Sequence, residues 1–186
     1  MPHITIVLAS VREGRKSERV ARYFERELRN AGTETVSLLD LLALDLPIFH
    51  ERLKHQKEPL PAALALREEI NKANGIIIVT PEYNGGYPAA LKNAIDLLYA
   101  EWHRKPVAIA TVSDGSFGGT QVIMSLQFVL WKMHAWTVPV HFPVPKVGDA
   151  FADDGTPVDQ GAWSRRTATF LTELRWCMEA RKRMEE

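Results

Sequence analysis

The chain has 186 residues, and its 23 Lys plus Arg balance its 23 Asp plus Glu, so the formal net charge is zero. That length suits one domain, expected over 1–186, and the balance gives no bulk attraction to nucleic acid or to an anionic membrane. No apolar run approaches the roughly 20 residues that span a bilayer, and the one cysteine, Cys177, excludes an internal disulfide and points to a cytoplasmic protein.

His3 to Ala9 alternates and then runs apolar through Ile6, Val7 and Leu8, which predicts a buried first strand with no signal peptide ahead of it. A polar loop over 10–17 follows, carrying Ser10, Arg12, Arg15 and Ser17. Val20, Phe24 and Leu28 then mark a helix face, with Ser17 as its N-cap and Gly32 as its stop. Glu34 to Leu39 predicts a second strand, and Asp40 to His50 a turn-rich connection. Arg52 to Glu58 is polar and expected to be mobile, and Pro61 to Ala73 is helical. Gly75 to Val79 is short and β-branched, a buried third strand. After the loop 80–87, Pro88 opens a helix whose face is Leu91, Ile95 and Leu98. Pro106 to Val112 is a fourth strand, and 113–119 a second glycine-rich loop. Val122, Leu126, Val129, Leu130 and Met133 mark the next helix, and Ala135 to Val140 a short fifth strand. Phe142 to Gln160, rich in Pro, Asp and Gly, reads as a long surface excursion. Trp163, Phe170, Leu174, Cys177 and Met178 give an amphipathic closing helix, with Arg181 to Glu186 fraying into water.

Alternating strands and helices imply an α/β doubly wound five-stranded parallel sheet, with strand order 2-1-3-4-5. In such sheets ligands bind at the carboxyl ends of the strands, so the loops after strands one, three and four are the candidate site. Ser10, Arg12, Arg15 and Ser17 beside a helix N-terminus suit an anion; the alternative is a solvated basic loop. Gly85, two prolines and two tyrosines in 80–88 suit a flat polar ligand. Glu82 is a candidate acid or a backbone partner. Gly115, Gly118 and Gly119 allow close approach of a ring or phosphate, with Ser113 and Asp114 as polar contacts. The histidines show no metal-ligand spacing, and neither a GxSxG elbow nor a Walker A sequence is present.

Pro81 to Pro88, followed by Leu91 to Asp96, closely resembles the signature of the NAD(P)H-dependent FMN reductases, flavodoxin-like quinone, azo-compound and chromate reductases. The loop from Ser10 to Ser17 looks like that family's phosphate loop, and Gly118 and Gly119 after Ser113 like its third flavin loop. The resemblance implies that Ser10, Arg12 and Ser17 hold the FMN phosphate. It implies that Pro81, Glu82, Tyr83, Asn84 and Gly85 line the ring and ribityl chain, with Ser113 and Gly115 approaching from the other side. It also implies a homodimer or homotetramer, with the helix after Pro88 in the interface. The chain departs from the family at Ala9, Leu97, Asp114 and Gln121, where Gly, Trp, Tyr and Arg are usual.

The expected activity is hydride transfer from NAD(P)H, the co-substrate, to flavin N5, followed by ping-pong delivery of two electrons to a small acceptor. That acceptor is a quinone, an azo compound, a metal oxyanion or free flavin. The cofactor is the redox centre, so no protein acid or base is required. The competing reading is a non-enzymatic FMN-binding electron carrier or redox sensor; it is disfavoured by the lack of acidic excess for docking.

Overall fold

The computed structural model describes residues 1–185. Five strands, β1 (His3–Leu8), β2 (Thr35–Asp40), β3 (Gly75–Pro81), β4 (Pro106–Val112) and β5 (Trp136–Val144), pair in parallel in the order β2-β1-β3-β4-β5. The helices are α1 (Ser17–Ala31), α2 (Leu41–Leu44), α3 (Pro61–Lys72), α4 (Ala89–Leu97), α5 (Val122–Lys132), α6 (Val147–Ala150) and α7 (Gln160–Glu185).

The three central strands are covered on both faces, which is why they read as unbroken apolar runs. Alternate side chains serve opposite layers. Ile4, Ile6, Leu8, Ile77 and Val79 pack with Phe24 and Leu28 of α1 and with Phe170 and Leu174 of α7. Val7, Ile76, Ile78 and Ile109 pack with Leu66, Ile70, Leu91, Ile95, Leu126 and Leu130 of α3, α4 and α5. Gly32 stops α1 as expected: its φ of 65° is left-handed, and its N–H donates to the Leu28 carbonyl at 3.3 Å. Lys105, only 6% exposed, donates to the carbonyls of Asn71 and Ala73 at 2.8 and 2.6 Å, satisfying the end of α3. Burial draws its ammonium down to about 8.

Four expectations change. First, β5 runs on to Val144, because Pro139 and Pro143 sit on an edge strand where a missing N–H interrupts no central ladder. Second, the expected excursion is pinned to the core at several points: Val147 and Phe151 are buried, and Phe151 lies 5.2 Å from the Tyr23 ring and 4.7 Å from that of Trp163. Arg19 and Arg26 of α1 donate to the carbonyls of Phe151 and Gly155 at 2.7 and 2.8 Å. The Pro, Asp and Gly content masked these two apolar anchors. Third, 52–58 contains a 3₁₀ turn, Leu53–His55, anchored by buried Leu53, with the Arg52 guanidinium 4.6 Å above the Tyr99 ring. Fourth, α7 stays helical to Glu185, supported by Arg181–Glu185 and Arg183–Glu179 pairs one turn apart. Glu186 lies outside the described residues.

Candidate functional site

The carboxyl ends of β1, β3 and β4 open onto a cleft of about 560 Å³, within the range of small-ligand sites. Ser10, Arg12, Gly14, Arg15, Lys16 and Ser17 form one wall. Pro81, Glu82 and Tyr83 form a second, and Val112 to Gly115 with Val147 a third. The cleft lies where the chain reverses direction across the sheet, between β1 and β3.

The first wall is held by ion pairing. The Arg15 guanidinium donates to Asp40 Oδ1 at 2.6 Å, to Glu18 Oε2 at 3.3 Å and to the Ser10 carbonyl at 2.8 Å. Burial alone would raise the Asp40 carboxyl; the Arg15 hydrogen bonds and charge, with the Leu42 N–H, hold it below its ordinary value. Arg15 is therefore committed to shaping the loop, and the cation left facing outward is Arg12, which forms no ion pair among the described residues. Ser17 is the first residue of α1 and not its N-cap, since Lys16 holds that position without a side-chain bond. The Ser17 hydroxyl is buried and has no hydrogen-bond partner.

The second wall is a tight hairpin. Tyr83 and Gly86 exchange both backbone hydrogen bonds, at 2.8 and 3.0 Å. Asn84 and Gly85 between them have φ of 54° and 80°, as a type I′ turn requires. These two residues serve the turn, and Gly85 stays off the cleft wall, while Asn84 borders an open hollow of about 440 Å³ beside Arg12, Glu82 and Tyr83. The turn aims the Tyr83 hydroxyl at Ser10 Oγ, 2.7 Å away, joining the first two walls. Glu82 accepts the Gln121 N–H at 3.3 Å, at the start of α5.

The third wall places Ser113, Asp114 and Gly115 in the cleft. Gly118 is outside it: a Cβ there would meet Pro145 N at 3.0 Å and Pro143 Cβ at 3.1 Å, so its φ of 62° serves packing against β5. Lys16 and Val147 line the cleft without having been singled out. Lys16 has no motif of its own, and Val147 reaches the site only because β5 returns to the same edge. Among the described residues no group of three or more His, Cys, Asp or Glu could hold a metal ion.

Residues 2–149 match the family model described as NADPH-dependent FMN reductase. The chain belongs to that family. It is 35% identical over 144 residues to the NAD(P)H-dependent FMN reductase LOT6 of Saccharomyces cerevisiae, covering 68% of this chain and 72% of that protein. It is 38% identical over 132 residues to a quinone reductase of Escherichia coli K12, covering 68% of each. The fold is also that of FerB, a flavoenzyme NAD(P)H:(acceptor) oxidoreductase from Paracoccus denitrificans, with a TM-score of 0.77, 21% identity and coverage of 96% and 98%.

The cleft of this FMN reductase family member fits the cofactor the family implies. A phosphate accepts hydrogen bonds, and at the foot of α1 the orphaned Ser17 hydroxyl, the first-turn N–H groups and the Arg12 guanidinium all donate. Gly115, whose Cβ would meet only Ser113 Oγ at 3.8 Å, leaves room for a ring edge on the opposite side.

Proposed function

We propose that this protein is an FMN-dependent NAD(P)H oxidoreductase passing two electrons, in ping-pong order, to a small acceptor: a quinone, azo compound, metal oxyanion or free flavin. The observation that carries the reading is the three-walled cleft with a buried, partnerless Ser17 hydroxyl at its phosphate end. When bound, FMN supplies the hydride and electron chemistry. Ser10, Arg12 and Ser17 hold its phosphate, with Arg15 keeping their loop in shape through Asp40. Pro81 to Tyr83, with Ser113 and Gly115 opposite, flank the ring system, and the Ser10–Tyr83 bond fixes the distance between phosphate and ring subsites. Glu82 is occupied by a backbone N–H, which suits positioning rather than proton transfer. The open hollow beside Arg12 and Asn84 admits small substrates in turn.

The test is an absorbance titration of the purified protein with FMN, followed by anaerobic NADPH. A perturbed flavin spectrum that bleaches within seconds is expected. Bound flavin that stays oxidised would favour a carrier or sensor, and no binding at all would reject the reading. No helix among the described residues is long and apolar enough to cross a membrane. With one buried cysteine, Cys177, the reading assigns the protein to the cytoplasm.

We also propose that it is a homodimer or homotetramer. The resemblance points to the helix after Pro88, yet Leu91, Ala94, Ile95 and Leu97 of α4 are buried within the chain, and Asn93 is bonded to Pro47 and Phe49. The broad apolar exposure is on α5: Met124, Phe128 and Trp131, spaced along one helix face, are 81%, 60% and 64% exposed. Two such faces meeting would bury on the order of 1,000 Å², the threshold of a specific interface. The double variant Phe128→Glu/Trp131→Glu is expected to sediment as a smaller species than wild type, a monomer from a dimer or a dimer from a tetramer, with an unchanged fold by circular dichroism. A wild-type sedimentation coefficient in that variant would move the interface elsewhere.

A further inference from the structure

We propose that Asp114 sets the strength of flavin-phosphate binding: paired with Lys16 across the mouth of the phosphate subsite, it withholds a cation and keeps FMN exchangeable. This rests on the FMN reading of the cleft and adds to it a residue that tunes discrimination between phosphorylated and phosphate-free flavins.

The cleft carries charge of both signs. Three cations line it, Arg12, Arg15 and Lys16, against two carboxylates, Glu82 and Asp114. Arg15 is taken by Asp40 and Glu18. Lys16 Nζ lies 2.8 Å from Asp114 Oδ1, linking the loop after β1 to the loop after β4. Arg12 alone is left for a dianionic phosphate.

The backbone that carries the carboxylate is fixed. On either side of Asp114, the Ser113 and Gly115 carbonyls accept the N–H groups of Val147 and Lys146, both at 3.1 Å. The Ser113 N–H donates to the Val144 carbonyl at 3.1 Å. Three backbone bonds to β5 and the turn after it thus fix the loop carrying Asp114. Gly148 on α6 makes room for the pair: a Cβ there would stand 3.2 Å from Lys16 Nζ and 4.0 Å from Asp114 Oδ1.

Both partners are well exposed, with side chains 40% and 68% accessible, so the pair itself is weak and a dianion can draw Lys16 away. The cost then falls on Asp114, which stays as a bare carboxylate on the third wall, facing the phosphate end of the first. Like charges in a partly desolvated cleft repel. A flavin without a phosphate meets no such penalty, so Asp114 narrows the advantage of FMN over riboflavin.

The test is the dissociation constant of FMN and of riboflavin, read by quenching of flavin fluorescence, for wild type, Asp114→Asn and Asp114→Ser. Asparagine keeps the shape and an acceptor for Lys16 but removes the charge. The expected result is an FMN Kd lower by about tenfold in both variants at low salt, with riboflavin unchanged. That gain should shrink toward 0.5 M salt as screening sets in, since the Debye length there is only about 4 Å. An FMN Kd that is unchanged or raised, with wild type still binding FMN, would overturn the proposal alone, because Asp114 would then merely hold Lys16 in place. Wild type that binds neither flavin would overturn this proposal together with the FMN reading.

Discussion

Ser17→Asp is expected to weaken FMN binding by about a hundredfold or more, while riboflavin binding stays at the wild-type level. Ser17 is the first residue of α1, 2% exposed, with a hydroxyl that finds no partner inside the protein. A carboxylate in the first turn of a helix gains about 0.3–1 kcal/mol from the macrodipole and the free N–H groups, which offsets only part of the cost of burying its charge, so thermal stability falls as well. The same carboxylate occupies the anion position. Two unit charges about 4 Å apart near a protein surface repel by about 4 kcal/mol, which far exceeds the lost hydroxyl contact. Ser17→Ala removes only that one contact and should cost FMN a few-fold. Fluorescence titrations with both flavins check this. Equal losses for FMN and riboflavin would move the phosphate away from Ser17.

Gly155→Val is expected to lower the unfolding free energy by about 3–5 kcal/mol. Gly155 has φ of +81°, a left-handed conformation that side chains resist, and a Cβ would stand 2.5 Å from the Arg19 carbonyl. The Tyr23 N–H and Arg22 Cβ, each 3.2 Å from that position, close the other sides. The obstacle is helix backbone, which cannot step aside as a flexible side chain does. The turn also cannot leave freely: its own N–H donates to Ala152 at 2.9 Å, and its carbonyl accepts from Arg26 at 2.8 Å. A urea melt should show a lower midpoint with an unchanged slope. A wild-type midpoint would mean that 152–157 lifts off α1 at little cost.

The alternation of strands and helices was legible because buried parallel strands announce themselves as short β-branched runs, and covering helices as apolar stripes. Both patterns lie within a dozen residues. The cleft at the ends of β1, β3 and β4 is legible for the same reason: Ser10, Tyr83 and Ser113 closely follow strands, and Ser17 opens a helix. The fifth strand reads as ending at Val140 because 142–160 is rich in Pro, Asp and Gly; Pro143 is tolerated in it because β5 is an edge, and edge position is a property of the whole sheet.

What each site residue does was a different matter. From its own loop Arg15 reads as a phosphate ligand; Asp40, at the end of β2, claims its guanidinium instead. Asn84 and Gly85 read as ring contacts; only the fold puts them at the tip of a turn closed by hydrogen bonds between Tyr83 and Gly86, with Asn84 beside the open hollow. Gly118 reads as a close approach to ligand, and it is Pro143 and Pro145 of another segment that it approaches. By itself, then, the sequence determined the α/β class, the strand order and the edge where the cleft opens, since local periodicity and chain connectivity carry that information. Only the tertiary structure decided which cations remain free, that Val147 closes the cleft and that Lys16 faces Asp114. Those depend on contacts between residues up to about a hundred positions apart, which local pattern cannot encode.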